Sequence, residues 1–258
     1  MELEVLGIGN AFTSRYYNTS FLIRSEQLCL IDTPQALMRL LRERGIDPAR
    51  ITSVICTHVH GDHVAGLETL ALWKKYVQKS RLHLFTSARV CRELREKFFP
   101  SFAATFSSDL KRIENLGFED YFDFHELDPA RPAALDGRLT LEIRHNWHPT
   151  PTLGLKLSAN RSIAISGDTC YSPPLLRSLL EEKTISADEY DRLAGEWLWQ
   201  GDVIYHEASR ERGGPHTAED DLLALPEAVR KKLRLIHLSD DYQENELRLA
   251  REGERVEF

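Results

Sequence analysis

The sequence predicts an α/β fold with a chemical site at one edge of its sheets. Three observations carry that expectation. Apolar, β-branched runs such as residues 51–56 alternate with helix-periodic stretches such as 66–78. The length of 258 residues, 42% of them hydrophobic, is enough for one sizeable core, so 1–258 is expected to form a single domain. Four ligand-type residues, His58, His60, Asp62 and His63, follow the 51–56 run directly. The end of a strand is the usual place for a site in an open α/β layout.

The elements follow in order. Residues 3–8 alternate as a first strand and end in Gly7 and Gly9. No third glycine opens a helix there, so a dinucleotide fingerprint is not expected. Residues 21–24 and 28–32 read as a hairpin. Asp32, Thr33 and Pro34 then read as a helix start, with Asp32 as the cap, and the helix stops at Gly45. After the histidine motif come a helix over 66–78, a strand over 82–85 and a basic helix over 88–97 carrying Arg89, Arg92, Arg95 and Lys97. The aromatic segment 98–106 admits two readings: it folds onto the core, or it forms a lid or subunit contact. Residues 121–127 and 139–144 read as strands, and 162–168 as a strand ending in the carboxylate of Asp168. Residues 173–198 read as helical behind Pro173 and Pro174. Residues 202–209 read as a strand, 213–218 as a loop and 219–221 as a helix start. The strand over 233–240 delivers His237, and a surface helix over 245–251 closes the chain.

Composition narrows the function. The 33 Lys and Arg against 40 Asp and Glu give a net charge of −7, which does not suit a nucleic-acid binder. Residues 64–118 run against that trend, with ten Lys or Arg and five Asp or Glu. Part of this basic and aromatic stretch is expected to cap the site and attract an anionic substrate. Cys29, Cys56, Cys91 and Cys170 show no CxxC spacing, and Cys29 and Cys56, in strand-like runs, read as reduced core residues. The sequence has neither an N-terminal leader pattern nor an apolar run of membrane-spanning length, so the expected location is cytoplasmic.

The motif chemistry points to metal. Neutral imidazoles and a carboxylate suit zinc, and also manganese or iron. In an extended loop His58 and His60 can face one point, while Asp62 and His63, a turn later, reach a second. The spacing therefore suggests two adjacent metals. A histidine-rich surface loop is the plain alternative, and four ligand-type residues at a strand end argue against it. His145 and His148 both qualify chemically as a third histidine for the first metal.

The His58-X-His60-X-Asp62-His63 pattern resembles the signature of the metallo-β-lactamase superfamily. That resemblance implies a four-layer αββα sandwich of mixed sheets with the site at one edge. It makes Asp32 a buttress of the metal loop. A branch that includes ribonuclease Z carries a histidine followed by proline three residues later and glycine six later. His148, Pro151 and Gly154 match it, which selects His148 and leaves His145 a supporting or surface residue. The trio Gly167, Asp168 and Thr169 resembles the family's bridging aspartate motif, and His237 its final ligand. The implied set is His58, His60 and His148 on one Zn2+, Asp62, His63 and His237 on the other, and Asp168 between them, with Mn2+ or Fe2+ as alternatives. A metal-bridging hydroxide would attack, oriented by Asp62.

His206-Glu207-Ala208 and His216-Thr217-Ala218, in that order before His237, resemble paired motifs of ribonuclease Z and its phosphodiesterase relatives. The resemblance makes His216 the acid for the leaving group and Glu207 its orienting partner. A loop histidine capping the next helix is the plain alternative for His216. His206 alternates with Glu207 and is expected to face away. The basic, glycine-rich arm with which ribonuclease Z grips transfer RNA is missing. The expected activity is therefore hydrolysis of a small anionic phosphodiester such as a 3′,5′-cyclic nucleotide. A transfer-RNA 3′-processing endonuclease and a lactonase or thiolester hydrolase are the alternatives. The family resemblance also implies a homodimer, with no membrane partner.

Overall fold

The computed structural model describes residues 1–135 and 137–258. In the first half of the chain, β1 (Glu2–Gly7), β2 (Ser20–Arg24) and β3 (Leu28–Ile31) form an antiparallel meander. Then β4 (Ile51–Ile55) and β5 (Leu82–Thr86) join β3 in parallel through the crossover helices α1 (Leu37–Glu43) and α2 (Gly61–Trp73). The helix α3 (Ala88–Glu93) and the exposed hairpin of β6 (Ala104–Phe106) and β7 (Ile113–Asn115) precede β8 (Phe122–Glu126), which pairs parallel to β5.

The second sheet begins with β9 (Ala133–Ala134), β10 (Thr140–His145) and β11 (Leu153–Ser158), all antiparallel. It continues through β12 (Ser162–Ile165), the helices α4 (Pro173–Glu181) and α5 (Ala187–Ala194), β13 (Val203–Glu207), α6 (Glu219–Leu223), α7 (Glu227–Arg230) and β14 (Leu233–Ile236). Strands β12, β13 and β14 are parallel. The chain ends on β15 (Arg255–Glu257), paired with β1 at the edge of the first sheet. The orders are β15-β1-β2-β3-β4-β5-β8 and β14-β13-β12-β11-β10-β9.

The sheets pack face to face, as the Phe21 and Tyr205 rings show: they come from different sheets and meet at 5.1 Å between centroids. One continuous apolar cluster runs through both. Each fully buried Leu, Ile or Phe in it contributes roughly 1.5–3 kcal/mol of transfer free energy. Both parallel runs, β3-β4-β5 and β12-β13-β14, turn their C-terminal ends toward one edge. That edge collects the histidines and carboxylates.

Several expectations change. Asp32 does not cap a helix: its φ is +61°, and α1 begins only at Leu37 behind Ala36. The carboxylate is drawn instead onto the histidine loop. Helix α2 starts at Gly61, five residues early, so Asp62 and His63 sit in its first turn. Its Gly66 is required by close packing, since a Cβ there would lie 2.4 Å from the Pro34 carbonyl oxygen. The stretch 173–198 breaks in two, with Lys183 left-handed (φ +59°) and Ser186 capping α5 in a reciprocal pair with Glu189. No helix forms over 245–251. Leu247 and Ala250 are buried, and backbone bonds between Leu235 and both Arg248 and Ala250 make this segment an extended rail along β14.

The aromatic segment divides. Phe99 and Phe102 are buried, edge to face with Tyr121 and, for Phe99, Phe118, so these two fold onto the core. Phe106 and Ile113 on the hairpin, and Leu110 at its tip, stay exposed. The basic stretch 64–118 is not set apart as a whole, because β5 lies inside the first sheet. Among the described residues no helix is long and apolar enough to cross a membrane.

Candidate metal centre

Strand β4 delivers residues 57–60 to the edge in extended form, and α2 then turns Asp62 and His63 back over it. His60 ends the loop at φ −66°, ψ 147°, and its carbonyl accepts from both His63 N and Val64 N at 3.0 Å. The turn between β10 and β11 supplies His148, and the ends of β12, β13 and β14 supply Asp168, Glu207 and His237.

Two sets of donor atoms result. His58, His60, His148 and Asp168 form one, and Asp62, His63 and His237 the other, with the atoms of each set within 4.8 Å of one another. Asp168 belongs to both neighbourhoods. Its Oδ1 lies 3.3 Å from His63 Nε2, while its Oδ2 lies 3.5 Å from His58 Nε2, 3.5 Å from His237 Nε2 and 3.9 Å from His148 Nε2. Asp62 Oδ2 lies 3.1 Å from His237 Nε2 and 3.3 Å from His63 Nε2.

The donor set fits divalent cations. His58 Nε2 and His63 Nε2 are buried and have no hydrogen-bond partner, a costly state for a lone pair that a cation would satisfy. Burial holds the pKa of His58 and His60 below the ordinary histidine value and pushes His148 down to about 4, so these rings are neutral, as ligation requires. Burial also opposes charge on His63, but the Asp168, Asp32 and Asp62 carboxylates converge on it and drive its pKa well up. A positive charge is favoured at that point. Burial works against Asp62 too, yet its bonds to His237 and His63 keep it ionised.

A buried network sets the tautomers. Asp32 Oδ2 accepts from Thr57 Oγ1 at 2.7 Å and from His63 Nδ1 at 2.8 Å, and its Oδ1 accepts from Thr57 N at 2.8 Å. With its proton given to Asp32, the Thr57 hydroxyl accepts from His58 Nδ1 at 3.0 Å. Both histidines therefore carry hydrogen on Nδ1 and turn Nε2 lone pairs toward the cluster. Asn146 clamps the Asp168 turn by donating to the Ser166 and Asp168 carbonyls at 2.6 and 3.0 Å. Gly167 sits there at φ +59°, and a Cβ would lie 2.2 Å from the Leu153 carbonyl oxygen. Thr19 accepts from His237 N at 3.1 Å and fixes that ligand, itself left-handed at φ +58°. No local motif marks Asn146, Thr57 or Thr19, because their partners lie 20 or more residues away or belong to the loop's own geometry.

Beside the cluster, His216 Nδ1 lies 2.6 Å from Glu207 Oε2. Glu207 is fully buried and also accepts from Thr169 N at 2.7 Å. Burial tends to discharge His216, but the Glu207 bond outweighs it and raises its pKa. His216, Asp168 and His237 also lie close enough to form a third ligand group. His206 faces the other way: it is buried, stacks on Trp199 at 5.4 Å, and burial pushes its pKa down to about 4. His145 ends β10 and does not join the cluster.

Comparison with known proteins identifies the fold and the family. A structure described as a metallo-β-lactamase fold protein from Bacillus subtilis superposes with TM-score 0.69 at 14% identity, covering 99% of each chain, so the fold is that of the metallo-β-lactamases. The Dictyostelium discoideum protein named cAMP/cGMP-dependent 3′,5′-cAMP/cGMP phosphodiesterase B is 25% identical over 91% of this chain, a match that spans 20% of that longer protein. Anti-Pycsar protein Apyc1 of Saccharibacillus brassicae is 28% identical over 246 residues, 95% of this chain and 92% of its own. The family profile described as Anti-Pycsar protein Apyc1 matches residues 1–257, and the chain belongs to that family.

Proposed function

We propose that the chain is a dinuclear-metal phosphodiesterase that hydrolyses a small phosphodiester of the 3′,5′-cyclic nucleotide class. The observation that carries this reading is one carboxylate, Asp168, shared between two histidine-rich donor sets, with a Glu207–His216 pair alongside. The homology to a protein named as a cyclic-nucleotide phosphodiesterase supports the substrate class. His58, His60, His148 and Asp168 would hold one cation, Zn2+, Mn2+ or Fe2+, and Asp62, His63, His237 and Asp168 the second. Such cations lower the pKa of water toward about 7 in the zinc case and neutralise charge on the phosphoryl oxygens.

The chain's own residues do the rest. Asp62 accepts a hydrogen bond from the attacking water and orients it. Glu207 accepts from His216 Nδ1–H, which directs Nε2–H outward. His216 then donates that proton to the departing alkoxide. The net charge of −7 argues against a folded RNA as substrate.

The same reading treats 1–258 as one domain in a reducing, cytoplasmic setting, supported by four unpaired thiols. It treats the protein as a homodimer whose contact includes the exposed Phe106, Leu110 and Ile113.

The test is hydrolysis by zinc- and manganese-loaded protein of bis(p-nitrophenyl) phosphate, 3′,5′-cyclic AMP and GMP, a lactone and a 3′-extended transfer RNA. Cyclic-nucleotide turnover with intact RNA is expected. Site-specific RNA cleavage, or turnover of the lactone alone, would overturn the reading.

A further inference from the structure

The metal cluster can grip a phosphodiester group, but its imidazole rings are committed to the donor sets and do not offer a free face for a base. The loop between β1 and β2 does. Its two ends bracket His237: Asn10 N donates to the Leu238 carbonyl at 3.0 Å, and Thr19 accepts from His237 N. The loop therefore stands at the edge that carries the ligands. Its middle is pinned by Asp240, three residues past His237, which accepts from Thr13 Oγ1 at 2.5 Å, from Ser14 N and Oγ at 2.9 and 2.6 Å, and from Arg15 N at 3.1 Å. Asn10 Oδ1 accepts from Phe12 N at 2.9 Å.

On this pinned loop Phe12 is 92% exposed, the most exposed large apolar side chain among the described residues. The loop's other aromatics are engaged. The Arg15 guanidinium lies 5.1 Å over the Tyr16 ring, and the Tyr17 hydroxyl donates to Glu43 at 2.5 Å. A phenyl ring left in water on an ordered loop is costly, and covering it with another flat surface recovers that cost without new ordering of the backbone. Aromatic platforms bind bases in this way, with little preference among them, because every base has a π-face.

We propose that Phe12 is a substrate-binding residue: it stacks on the base of the substrate while the cluster holds the phosphodiester. This rests on the cyclic-nucleotide reading above. Removal of one stacking ring weakens base binding by about tenfold.

The experiment compares wild type, Phe12→Ala and Phe12→Trp on 3′,5′-cyclic AMP and on the base-free 3′,5′-cyclic phosphate of 1-O-methylribose. Phe12→Ala is expected to raise KM for cyclic AMP about tenfold with kcat kept, Phe12→Trp to restore it, and all three proteins to share one KM on the base-free compound. The exposed position makes misfolding of the variants an implausible cause, and thermal unfolding checks it. Equal KM for wild type and Phe12→Ala on cyclic AMP overturns the inference. So does an equal loss on the base-free compound, or a change of oligomeric state in place of a change in KM, which reassigns Phe12 to a subunit contact. If wild type itself turns over neither compound, the cyclic-nucleotide reading fails and takes this inference with it.

Discussion

Replacing Asp32 by Asn should disarm two of the proposed metal ligands while keeping the fold, at some cost in stability. The side chain is buried, 4% exposed, and accepts three hydrogen bonds, from Thr57 N, Thr57 Oγ1 and His63 Nδ1. Asn is nearly isosteric and tolerates φ +61°. It can present only one acceptor oxygen. If its amide nitrogen takes the place of Oδ2, it donates where it used to accept. His63 Nδ1 must then accept, which moves the proton to Nε2. The Thr57 hydroxyl turns to donate to His58 Nδ1, which does the same to His58. Both Nε2 lone pairs are lost to the cluster. If the amide flips instead, its nitrogen meets Thr57 N–H, and a buried backbone donor is left unpaired at a cost of about 1–3 kcal/mol. The variant therefore gives up roughly 10–100-fold in metal affinity, about 1–3 kcal/mol of stability, or a share of each. Metal affinity is read by competition with a chromogenic chelator, and stability by denaturant unfolding of metal-free protein. Wild-type values in both assays would refute the tautomer argument. Asp32→Ala should do worse on stability, since Ala adds left-handed backbone strain of about 1 kcal/mol or more.

Further outcomes follow from particular contacts. His216→Ala should keep both metals and lose at least ~100-fold in kcat, least on p-nitrophenyl esters; loss of metal would make His216 a ligand instead. Because the Glu207 bond raises the His216 pKa, the proton needed for the leaving group stays on up to a pH above the ordinary histidine value, so activity should fall only beyond it. Glu207→Gln should move that alkaline limb to lower pH in a kcat–pH profile. Gly167→Ala should cost about 2 kcal/mol or more in thermal unfolding, from the left-handed φ and the 2.2 Å approach to the Leu153 oxygen, and should lower activity by displacing Asp168. Phe102→Ala should cost about 3–5 kcal/mol by emptying the aromatic cluster, whereas Phe106→Ser should leave unfolding within about 0.5 kcal/mol and reduce dimerisation, measured by sedimentation; an unchanged sedimentation profile would remove Phe106 from the subunit contact.

Residues 57–63 were legible as a candidate metal site from the chain alone because their chemistry is local: ligand-type side chains directly follow an apolar strand run, and a strand's end is where a parallel sheet opens; Asp168 and His237 joined them through the family resemblance. The same local logic located most strands of both sheets, but not β9, β11 or β15. His148 against His145 was a different matter. The two differ by three residues, and the choice rests on the β10–β11 register, in which His145 is the last paired residue opposite Leu153 and His148 falls in the turn. Sequence resemblance selected His148; spacing could not.

What only the tertiary structure decided involves partners far apart in the chain. Asp32 looked like a helix cap, and the pull of Thr57 and His63 turned it into the residue that sets two ligand tautomers. The 245–251 segment reads from sequence as a surface helix, and the free edge of β14 claimed it as an extended rail, because backbone bonds to Leu235 and burial of Leu247 and Ala250 outweigh the helix preference of seven residues. Phe99 and Phe102 went to the core because Phe118 and Tyr121 wait for them there, while Phe106 stays exposed. The candidate ligands were written into the sequence; their orientation, and hence their chemistry, depends on contacts that exist only once the two sheets have closed on each other.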